Sequence, residues 1–418
     1  MPADKKEHSS LMKFILHIHP PKLSKKSMAV NRTYGLGGIS ALLFIVLAVT
    51  GVFLRFKYVP TIDDAYYSIV RMQETEVFGR LLRNLHYWSS NLMILVVVLH
   101  LVRVVFSNAL YYERAKNWRY GIIMLLFTFI FAFTGYLLTW DQLSYWAVTI
   151  MLSLVEYIPQ IGVPLSQWIK GGEHIGQQTL ITFYSLHTGL LPFLMICLMM
   201  VHFYLVRKAK GVAYTLDEGE TDERVQAYPD LVRVEALAAL IIFVVLMVLS
   251  ICFNAPLKEM ANPEITPNPS KAPWYFIGLQ EMLLHFHPLL VLCTPIVVLW
   301  GMFKMPVWKC AKEKVGLWFN GKENKSSIYY YMIASVVWTL VLAVGDDILR
   351  AQAHLDTSSW YGVLLFIVYL LPLVGIFWKR RKEEKALLVL IGFSFLSMSY
   401  VVFSTIAFFF RGEGMALF

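Results

Sequence analysis

The sequence predicts an all-α fold, a polytopic transmembrane helix bundle with about nine spanning helices. Hydrophobic residues make up 57% of the 418 residues and charged residues only 16%, below the roughly 25% that is typical of soluble domains. The mean hydropathy is +0.57. Apolar runs of about 20 residues, the length that crosses a bilayer as a helix, recur along the chain. A soluble fold could not cover this much apolar surface with polar residues.

Nine apolar segments are predicted to span the membrane. They are residues 33–56, 80–106, 118–139, 178–206, 232–254, 287–304, 327–345, 360–378 and 386–411. The segment 287–304 is the least regular, because it is short and contains Pro288 and Pro295. Membrane helices tolerate proline when neighbouring groups satisfy the freed backbone. The N-terminal segment is polar and rich in lysine, so we expect no cleavable signal peptide.

Lysine and arginine concentrate in alternate connections, and this pattern orients the bundle. They cluster in segments 1–32, 107–119, 207–210, 304–326 and 379–385, whereas the connections 140–177, 255–286 and 346–359 hold few of them. Positively charged connections stay on the cytoplasmic side, so the N-terminus is predicted to be cytoplasmic and the C-terminus outside. The same distribution explains the net charge of +9 without a nucleic-acid partner.

The predicted helices divide the chain into four parts. They are an N-terminal four-helix part (1–209), a polar and partly acidic linker (210–231), a C-terminal part (232–345) and a region with two further helices (346–418). The outer connections 140–177 and 255–286 are rich in Trp, Tyr and Pro. We expect these two connections to lie on the membrane surface and to form a pocket there.

Four histidines lie within strongly apolar segments of the N-terminal part. His86 and His100 are 14 residues apart on the second helix, and His187 and His202 are 15 apart on the fourth. At about 1.5 Å per residue, each pair spans roughly 21 to 23 Å along its helix. The two helices run in the same direction, so His86 faces His187 and His100 faces His202. Each cross-helix pair can hold one iron from both sides, which predicts two haem groups in a four-helix bundle.

Other interpretations explain this pattern less well. A single intramembrane histidine is as often a hydrogen-bonded packing residue, but ionisable residues at matched depths indicate function. Zinc ligands would converge on one site. A transporter that carries protons on histidine does not require the matched spacing. The four cysteines (Cys197, Cys252, Cys293 and Cys310) form no CxxC or CxxCH pattern, so we predict no cysteine-held metal, iron–sulfur cluster or covalent haem of the c type.

Glycines repeat the 14-residue spacing on the neighbouring helices. Gly37 and Gly51 lie on the first predicted helix, and Gly121 and Gly135 lie on the third. Glycine permits the close backbone approach that the edge of a haem needs. Close helix–helix packing, for which membrane helices also use small residues, is the alternative explanation.

Several motifs resemble cytochrome b of the quinol–cytochrome c reductase superfamily. Besides the histidines, they are YGLGG (34–38), TGYLLTWDQLSYWAV (134–148), IPQIGVPL (158–165), FYSLHT (183–188) and APWYF (272–276). The resemblance covers residues 25–345. It is greatest to the plastid and cyanobacterial branch, which also has the 15-residue histidine separation. In that branch the two parts are separate proteins, whereas here they are fused.

The resemblance implies a mechanism. Quinol would be oxidised at the outer pocket, and one electron would pass to a Rieske iron–sulfur protein and on to a c-type cytochrome. The other electron would pass from the outer haem b to the inner one and reduce quinone near the inner surface. Arg83, Arg103, Arg114 and Arg207 match positions that bind haem propionates in the family, although positive-inside charge equally explains Arg114 and Arg207. A dimeric complex is also implied, and a fused chain without a transit peptide suggests a bacterial cytoplasmic membrane.

The sequence departs from the family pattern at two places. Gly35 replaces the cysteine that binds an extra haem covalently in the plastid branch, so we predict no covalent third haem. The quinol-pocket motif is Ala272-Pro273-Trp274-Tyr275 and lacks the glutamate that accepts a proton in the family.

Trp274 and Tyr275 remain candidate quinol-pocket residues despite that loss. Glu281 is the candidate replacement for the missing base, with His285 and His287 as further candidates. The altered motif also leaves room for an alternative function, a quinone-linked electron conduit to multihaem c-type cytochromes without a Rieske protein.

Overall fold

The computed structural model describes residues 22–25, 34–214, 221, 223–308 and 310–417. Most of the positively charged segment 1–32 lies outside the described residues, as do Lys309 and the acidic linker residues Asp217, Glu218, Glu220 and Asp222. A short strand, β1 (Lys22–Ser24), pairs antiparallel with β2 (Arg224–Gln226). This pair connects the start of the described chain to the linker.

Thirteen α-helices follow one another within the described ranges. They are α1 (Leu36–Arg55), α2 (Ala65–Glu74), α3 (Gly79–Phe106), α4 (Ala115–Leu137), α5 (Gln142–Val155), α6 (Gly162–Lys170), α7 (Gln177–Lys208), α8 (Val232–Cys252), α9 (Ile277–His285), α10 (Pro288–Lys304), α11 (Lys325–Ala353), α12 (Trp360–Lys379) and α13 (Lys385–Phe409). Nine of them, α1, α3, α4, α7, α8, α10, α11, α12 and α13, are long and apolar enough to cross a membrane. This result confirms the all-α fold and the nine predicted segments.

The N-terminal part is a four-helix arrangement of paired helices. Helix α1 packs along α3, and α7 packs along α4, while α8 covers α3 from the C-terminal part. Leu43 of α1 and Leu246 of α8 are completely buried in one apolar cluster with residues of α3. These pairings place the glycine-bearing helices directly against the histidine-bearing helices.

Helix α7 contains a π-helical turn at Leu186–Leu190 that includes His187. Pro192 follows this turn; proline has no N–H to donate and crowds the preceding turn, which favours a wider local geometry. A π turn holds one more residue than an α turn. The turn therefore absorbs the extra residue in the 15-residue separation and returns His187 to the side of α7 that carries His202.

Helix α11 continues eight residues beyond the predicted end at 345, so the expectation of a loop over 346–359 is wrong for residues 346–353. Its added turns carry Asp346, Asp347 and Arg350. Arg350 pairs with Asp346 at 2.9 Å and with Asp347 at 2.6 Å, at the i,i+4 and i,i+3 spacings of a helix. Because these charged side chains pair with one another along the helix, α11 continues past the end of its apolar stretch.

Helix α13 packs inside the C-terminal half, as expected for a helix that contacts the core. It lies against α11 and α9 and buries Phe395 and Phe403 almost completely. The Ser399 hydroxyl exchanges hydrogen bonds with Ser335 and Thr339 of α11, both at 2.9 Å. Helix α12 buries much less of its surface, which leaves an apolar face for lipid or another subunit.

Candidate functional site

Each of the four intramembrane histidines lies against one of the four predicted glycines. A methyl group built on Gly51 would lie 3.4 Å from Cε1 of His86, and one on Gly135 would lie 2.4 Å from Cε1 of His187. At the other end of the bundle, the corresponding distances are 3.6 Å from Gly37 to His100 and 3.7 Å from Gly121 to His202. The 14-residue spacing on α1 and α4 therefore matches the histidine spacing on α3 and α7.

The outer histidine pair has the spacing that one shared metal ion requires. The ring centres of His86 and His187 are 6.3 Å apart, and their planes are inclined by 68°. Two metal–imidazole bonds of about 2 Å, with roughly 1 Å from each nitrogen to its ring centre, add up to about 6 Å. The two rings thus leave space between them for one ion bound from both sides.

Two threonines fix the tautomer of the outer histidines, and sequence reasoning missed both of them. Oγ1 of Thr50 lies 2.9 Å from Nδ1 of His86, and Oγ1 of Thr134 lies 3.2 Å from Nδ1 of His187. Each hydroxyl donates its hydrogen to the carbonyl four residues earlier, at 2.7 and 2.8 Å. The hydroxyl oxygen must therefore accept a hydrogen from Nδ1, which leaves the Nε2 lone pair free for a metal.

The repeated Thr-Gly dipeptide on α1 and α4 was the available sequence signal for these threonines. Thr50 precedes Gly51, and Thr134 precedes Gly135, whereas Leu36 and Tyr120 precede the two inner glycines. At the outer site, a threonine hydroxyl therefore lies beside each imidazole. The inner site has no threonine at the corresponding two positions.

Arg83 connects the outer end of α3 to the second outer connection. Its guanidinium donates to the carbonyl oxygens of Ala255 and Pro256, at 2.8 and 2.7 Å. The neighbouring Asn84 accepts the backbone N–H of Ala255 at 2.8 Å. Arg83 is buried, and at least part of its donor fork is used by backbone in this structure.

The other three predicted arginines lie toward the opposite end of the bundle, the end that the charge pattern predicts to be cytoplasmic. Arg114 donates to the carbonyls of Ala209 and Gly211 at 3.0 and 3.1 Å, and Arg207 lies in the last turn of α7. Arg103 is buried on α3, near enough to Arg114 for the two guanidinium groups to repel each other. An anionic group between Arg103 and Arg114 would relieve that repulsion.

The two long outer connections contact each other through side-chain and backbone hydrogen bonds. Oδ1 of Asp141 accepts the N–H of Ser144 at 2.9 Å and caps α5, while Oδ2 accepts the N–H of Lys258 at 3.0 Å. The N–H of Gln142 donates to the carbonyl of Glu259 at 2.8 Å. One buried carboxylate therefore fixes the start of α5 and the second connection at the same point.

A small apolar cavity lies where these connections meet α4. It has a volume of about 40 Å³, is partly open to its surroundings, and is lined by Phe133, Tyr136, Ala147, Met151, Ala272, Pro273, Tyr275 and Phe276. Both connections and the Ala272-Pro273-Trp274-Tyr275 motif contribute to this lining. An apolar wall with a few phenol groups is typical of sites for flat organic ligands.

The structure separates the candidate quinol-pocket residues by their surroundings. Tyr275 lines the cavity, and burial raises the pKa of its phenol, which therefore acts as a neutral hydrogen-bonding group. Trp274 is half exposed, and its indole N–H donates to Asn91 on α3 at 2.8 Å. Neither residue is a base, so the cavity lining itself provides no replacement for the missing glutamate.

The three candidate bases lie outside the cavity lining. Glu281 is completely buried and bound to Arg411, and His285 lies between Glu281 and Asp346 at 3.2 and 2.6 Å. Burial opposes ionisation of Glu281, but His285 and Arg411 outweigh it and hold the pKa of Glu281 below its ordinary value. A carboxylate of that kind accepts a proton poorly. His287 caps α10 by accepting a backbone N–H.

The N-terminal half of the chain is similar in sequence to known proteins. A family model described as cytochrome b/b6/petB matches residues 22–210. Cytochrome b6 of Synechococcus elongatus is 40% identical over 179 residues, which cover 43% of this chain and 83% of that protein. Cytochrome b6 of Prochlorococcus marinus is 41% identical over 179 residues, covering 43% of this chain and 82% of that protein.

A solved structure described as a hyperthermophilic respiratory Complex III has a similar fold over most of the chain. The TM-score is 0.68 at 20% sequence identity, and the match covers 94% of this chain and 98% of the other. The cytochrome b6 sequences establish the relationship for the four-helix part, and the shared fold extends through the C-terminal helices. The chain therefore belongs to the cytochrome b/b6 family and is an integral-membrane cytochrome b.

Proposed function

We propose that this cytochrome b holds two non-covalent haem b groups, an outer one on His86 and His187 and an inner one on His100 and His202. The observation that carries the proposal is one contact repeated four times, an imidazole carbon against a glycine backbone, at two levels of the bundle. The 6.3 Å between the outer rings supports an ion shared by both. When bound, the two haems would supply one-electron carriers at the two membrane surfaces.

Residues around the histidines would orient and stabilise these groups. Thr50 and Thr134 hold the outer imidazoles with Nε2 free for a metal. Gly37, Gly51, Gly121 and Gly135 leave space beside the rings. Arg103 and Arg114 would bind acidic groups near the inner surface, and Arg207 lies in the same region. Arg83 already donates to two backbone carbonyls, so it would bind a haem propionate only through its remaining N–H groups.

The apolar cavity is the proposed site of quinol oxidation. Tyr275 would orient the quinol head group by a hydrogen bond, and Trp274 would form part of the entrance because it is half exposed. The electrons would leave for a Rieske iron–sulfur protein and a c-type cytochrome in a dimeric complex of a bacterial cytoplasmic membrane. The chain would have its N-terminus in the cytoplasm and its C-terminus outside.

One specific observation favours a second candidate acceptor. Ala272 occupies the place of the family's glutamate and lines the cavity, so proton removal from quinol must use another route. A quinone-linked conduit to multihaem c-type cytochromes would use the same two haems without a Rieske protein. An iron–sulfur subunit that copurifies with the chain would support the Rieske complex, and copurified multihaem cytochromes without one would support the conduit.

A dithionite-reduced minus oxidised spectrum, with a haem-to-protein ratio on the purified complex, tests the haem proposal. Two extractable b haems per chain are expected. A single haem would mean that one histidine pair is misassigned. No haem would refute the proposal and favour a transporter that carries protons on its histidines.

Replacing Thr134 with valine is expected to raise the reduction potential of the outer haem. Loss of the Nδ1 hydrogen bond makes His187 a weaker electron donor, which favours ferrous iron. A neutral hydrogen bond contributes about 1 kcal/mol, so the shift should be a few tens of millivolts, since about 59 mV corresponds to a tenfold change for one electron. Potentiometric titration of the spectrum measures it.

Thr128→Val is the matched control for this prediction. Thr128 lies on the same helix and donates to the carbonyl of Met124 at 2.9 Å, and it forms no hydrogen bond to a histidine of the described residues. The control removes the same kind of backbone bond and should leave both potentials unchanged. An equal shift in both variants would contradict the role of Thr134.

Acid–acetone extraction is expected to remove all haem from the chain. Gly35 precedes α1 at a φ of +64°, a conformation that glycine tolerates, and it has no thiol for a thioether bond. A denaturing gel stained for haem should therefore show no signal at the mass of this chain. Stain that survives extraction would contradict the prediction of no covalent third haem.

A further inference from the structure

The far C-terminus of the chain contacts the segment that carries the quinol-pocket motif. The pocket segment is residues 268–285, which include Pro273, Trp274 and Tyr275 and end with α9. The C-terminal clamp is residues 385–417, which comprise α13 and the tail after it. The nearest residues of these two stretches are 100 positions apart in sequence, and three sets of contacts hold the stretches together.

The first set lies beside the cavity. The Tyr400 hydroxyl donates to the carbonyl of Tyr275 at 2.7 Å. A methyl group on Gly278 would lie 2.5 Å from the hydroxyl of Ser404 and 2.8 Å from the ring of Tyr400. The start of α9 is therefore pressed against α13 at a distance that only glycine permits. The backbone of a cavity-lining residue is thus fixed directly by the last helix.

The second set fixes the beginning of the pocket segment. The backbone N–H of Gly414 donates to Oδ1 of Asn268 at 2.6 Å, and Nζ of Lys271 donates to the carbonyl of Phe408 at 3.2 Å. The tail also folds back on itself, because Arg411 forms a bridge with Leu417. Both the loop before the motif and the helix after it therefore contact the same element.

The third set is a buried charge contact at the far end of α9. Arg411, only 3% exposed, donates from Nε and Nη2 to the carboxylate of Glu281, with a shortest distance of 2.6 Å. It also donates to Asp347 at 2.8 Å. Burial acts against the charge on Arg411, but the two carboxylates outweigh it and raise the pKa of the guanidinium above its ordinary value. Removing the guanidinium would leave a completely buried carboxylate without its main cation, which is strongly unfavourable.

His285 extends this contact to α11. Its ring lies between Glu281 and Asp346; burial lowers its pKa, but the two carboxylates outweigh burial and hold the pKa above its ordinary value. Side-chain atoms of His285, Asp346 and Asp347 are close enough to hold a metal ion. Arg350 and Arg411 already donate to those two aspartates, so the arrangement is an ion-pair network rather than a cation site.

We propose that the C-terminal clamp positions the pocket segment for quinol and that Arg411 is its main positioning residue. The inference rests on the proposed quinol pocket. The clamp holds the backbone at Tyr275, and Asp141 holds the same connection nearer its start, at Lys258. Because the connection is held at both places, the cavity keeps its shape before quinol enters, which lowers the cost of ordering on binding.

The experiment compares Arg411→Met, Arg411→Lys and the control Arg381→Met in the full complex, reconstituted in nanodiscs. Arg381 is an exposed arginine near the other end of α13. Hydrogen–deuterium exchange of the pocket segment and steady-state oxidation of decylquinol are measured, with haem content as a check. In Arg411→Met we expect amide exchange in 268–285 to rise about tenfold and KM to rise roughly threefold or more, with a smaller change in kcat. Arg411→Lys keeps the positive charge, so amide exchange and KM should both rise less than in Arg411→Met. Arg381→Met should match the unsubstituted complex in both measurements.

Unchanged exchange in the pocket segment of Arg411→Met would overturn the clamp, whether or not the complex oxidises quinol. Raised exchange with an unchanged KM would overturn the positioning role. Failure of the unsubstituted complex to oxidise quinol would refute the proposed function instead, and the exchange data would still decide on the clamp. If the Arg411→Met chain does not accumulate, Tyr400→Phe replaces it, because this variant removes one hydrogen bond beside the cavity. Amide exchange in 268–285 and KM are then measured in Tyr400→Phe, and unchanged values would overturn the proposal in the same way.

Discussion

Replacing His86 with leucine is expected to reduce the haem content from two to one per chain. Leucine fills a similar volume in the apolar bundle but offers no lone pair, so His187 alone would have to hold the outer haem. A haem that has lost one of two axial bonds in a hydrophobic site loses most of its fixation to the protein. The pyridine haemochrome assay on purified protein measures the ratio, and the spectrum should keep the band of the inner haem.

His174→Leu is the matched control for this loss. His174 is an exposed histidine on the first outer connection, and the same substitution there should leave two haems per chain. His100→Leu should remove the other haem and retain the outer one, so the two single variants should have complementary spectra. Two haems in His86→Leu at full occupancy would show that the assignment of the outer pair is wrong.

Replacing Gly135 with alanine is expected to remove most of the outer haem. The added methyl group would lie 2.4 Å from Cε1 of His187, far closer than van der Waals contact, so the imidazole must move away from residue 135 and lose its present position. Overpacking of this kind costs about 1–3 kcal/mol, which lowers haem affinity roughly ten- to hundredfold. Haem titration of the apo chain measures this affinity.

Gly301→Ala on α10 is the control, because a methyl group there would meet no atom within 4 Å. It tests whether losing a helix glycine alone changes haem binding, and we expect it to bind both haems normally. The inner site of Gly135→Ala should also be unaffected, since Gly121 and His202 lie about four helical turns away along the helices. Equal haem affinity in both glycine variants would argue that the contact between Gly135 and His187 has no role.

The N-terminal part could be predicted closely because its signals are local. The length of each apolar run, the charges between runs and the helical repeat depend on short stretches of chain. His86 and His100 share a side of α3 because 14 residues are nearly four turns, whatever surrounds the helix. Gly37, Gly51, Gly121 and Gly135 follow the same arithmetic, and the structure places each against a histidine. The sequence did not indicate that the π turn at His187 would realign the fourth helix.

The C-terminal half shows where sequence reasoning failed. Apolar content predicted that α11 would end at 345, but the helix continues because Asp346 pairs with Arg350 and with His285 of α9. Glu281 was a reasonable candidate base from its distance to Trp274. In the structure its carboxylate is bound by Arg411, 130 residues later in the chain.

By itself, the sequence determined the all-α membrane fold, the number of spanning segments and the set of four histidines with their glycines. These features follow from hydrophobicity and helical periodicity, which are fixed along a single segment. Only the tertiary structure decided which hydroxyl reaches which imidazole, how the outer connections join through Asp141, and that the last helix holds the pocket segment. Those contacts join residues that are distant in sequence, and their energies depend on burial and on the distance between charges, neither of which exists until the chain is packed.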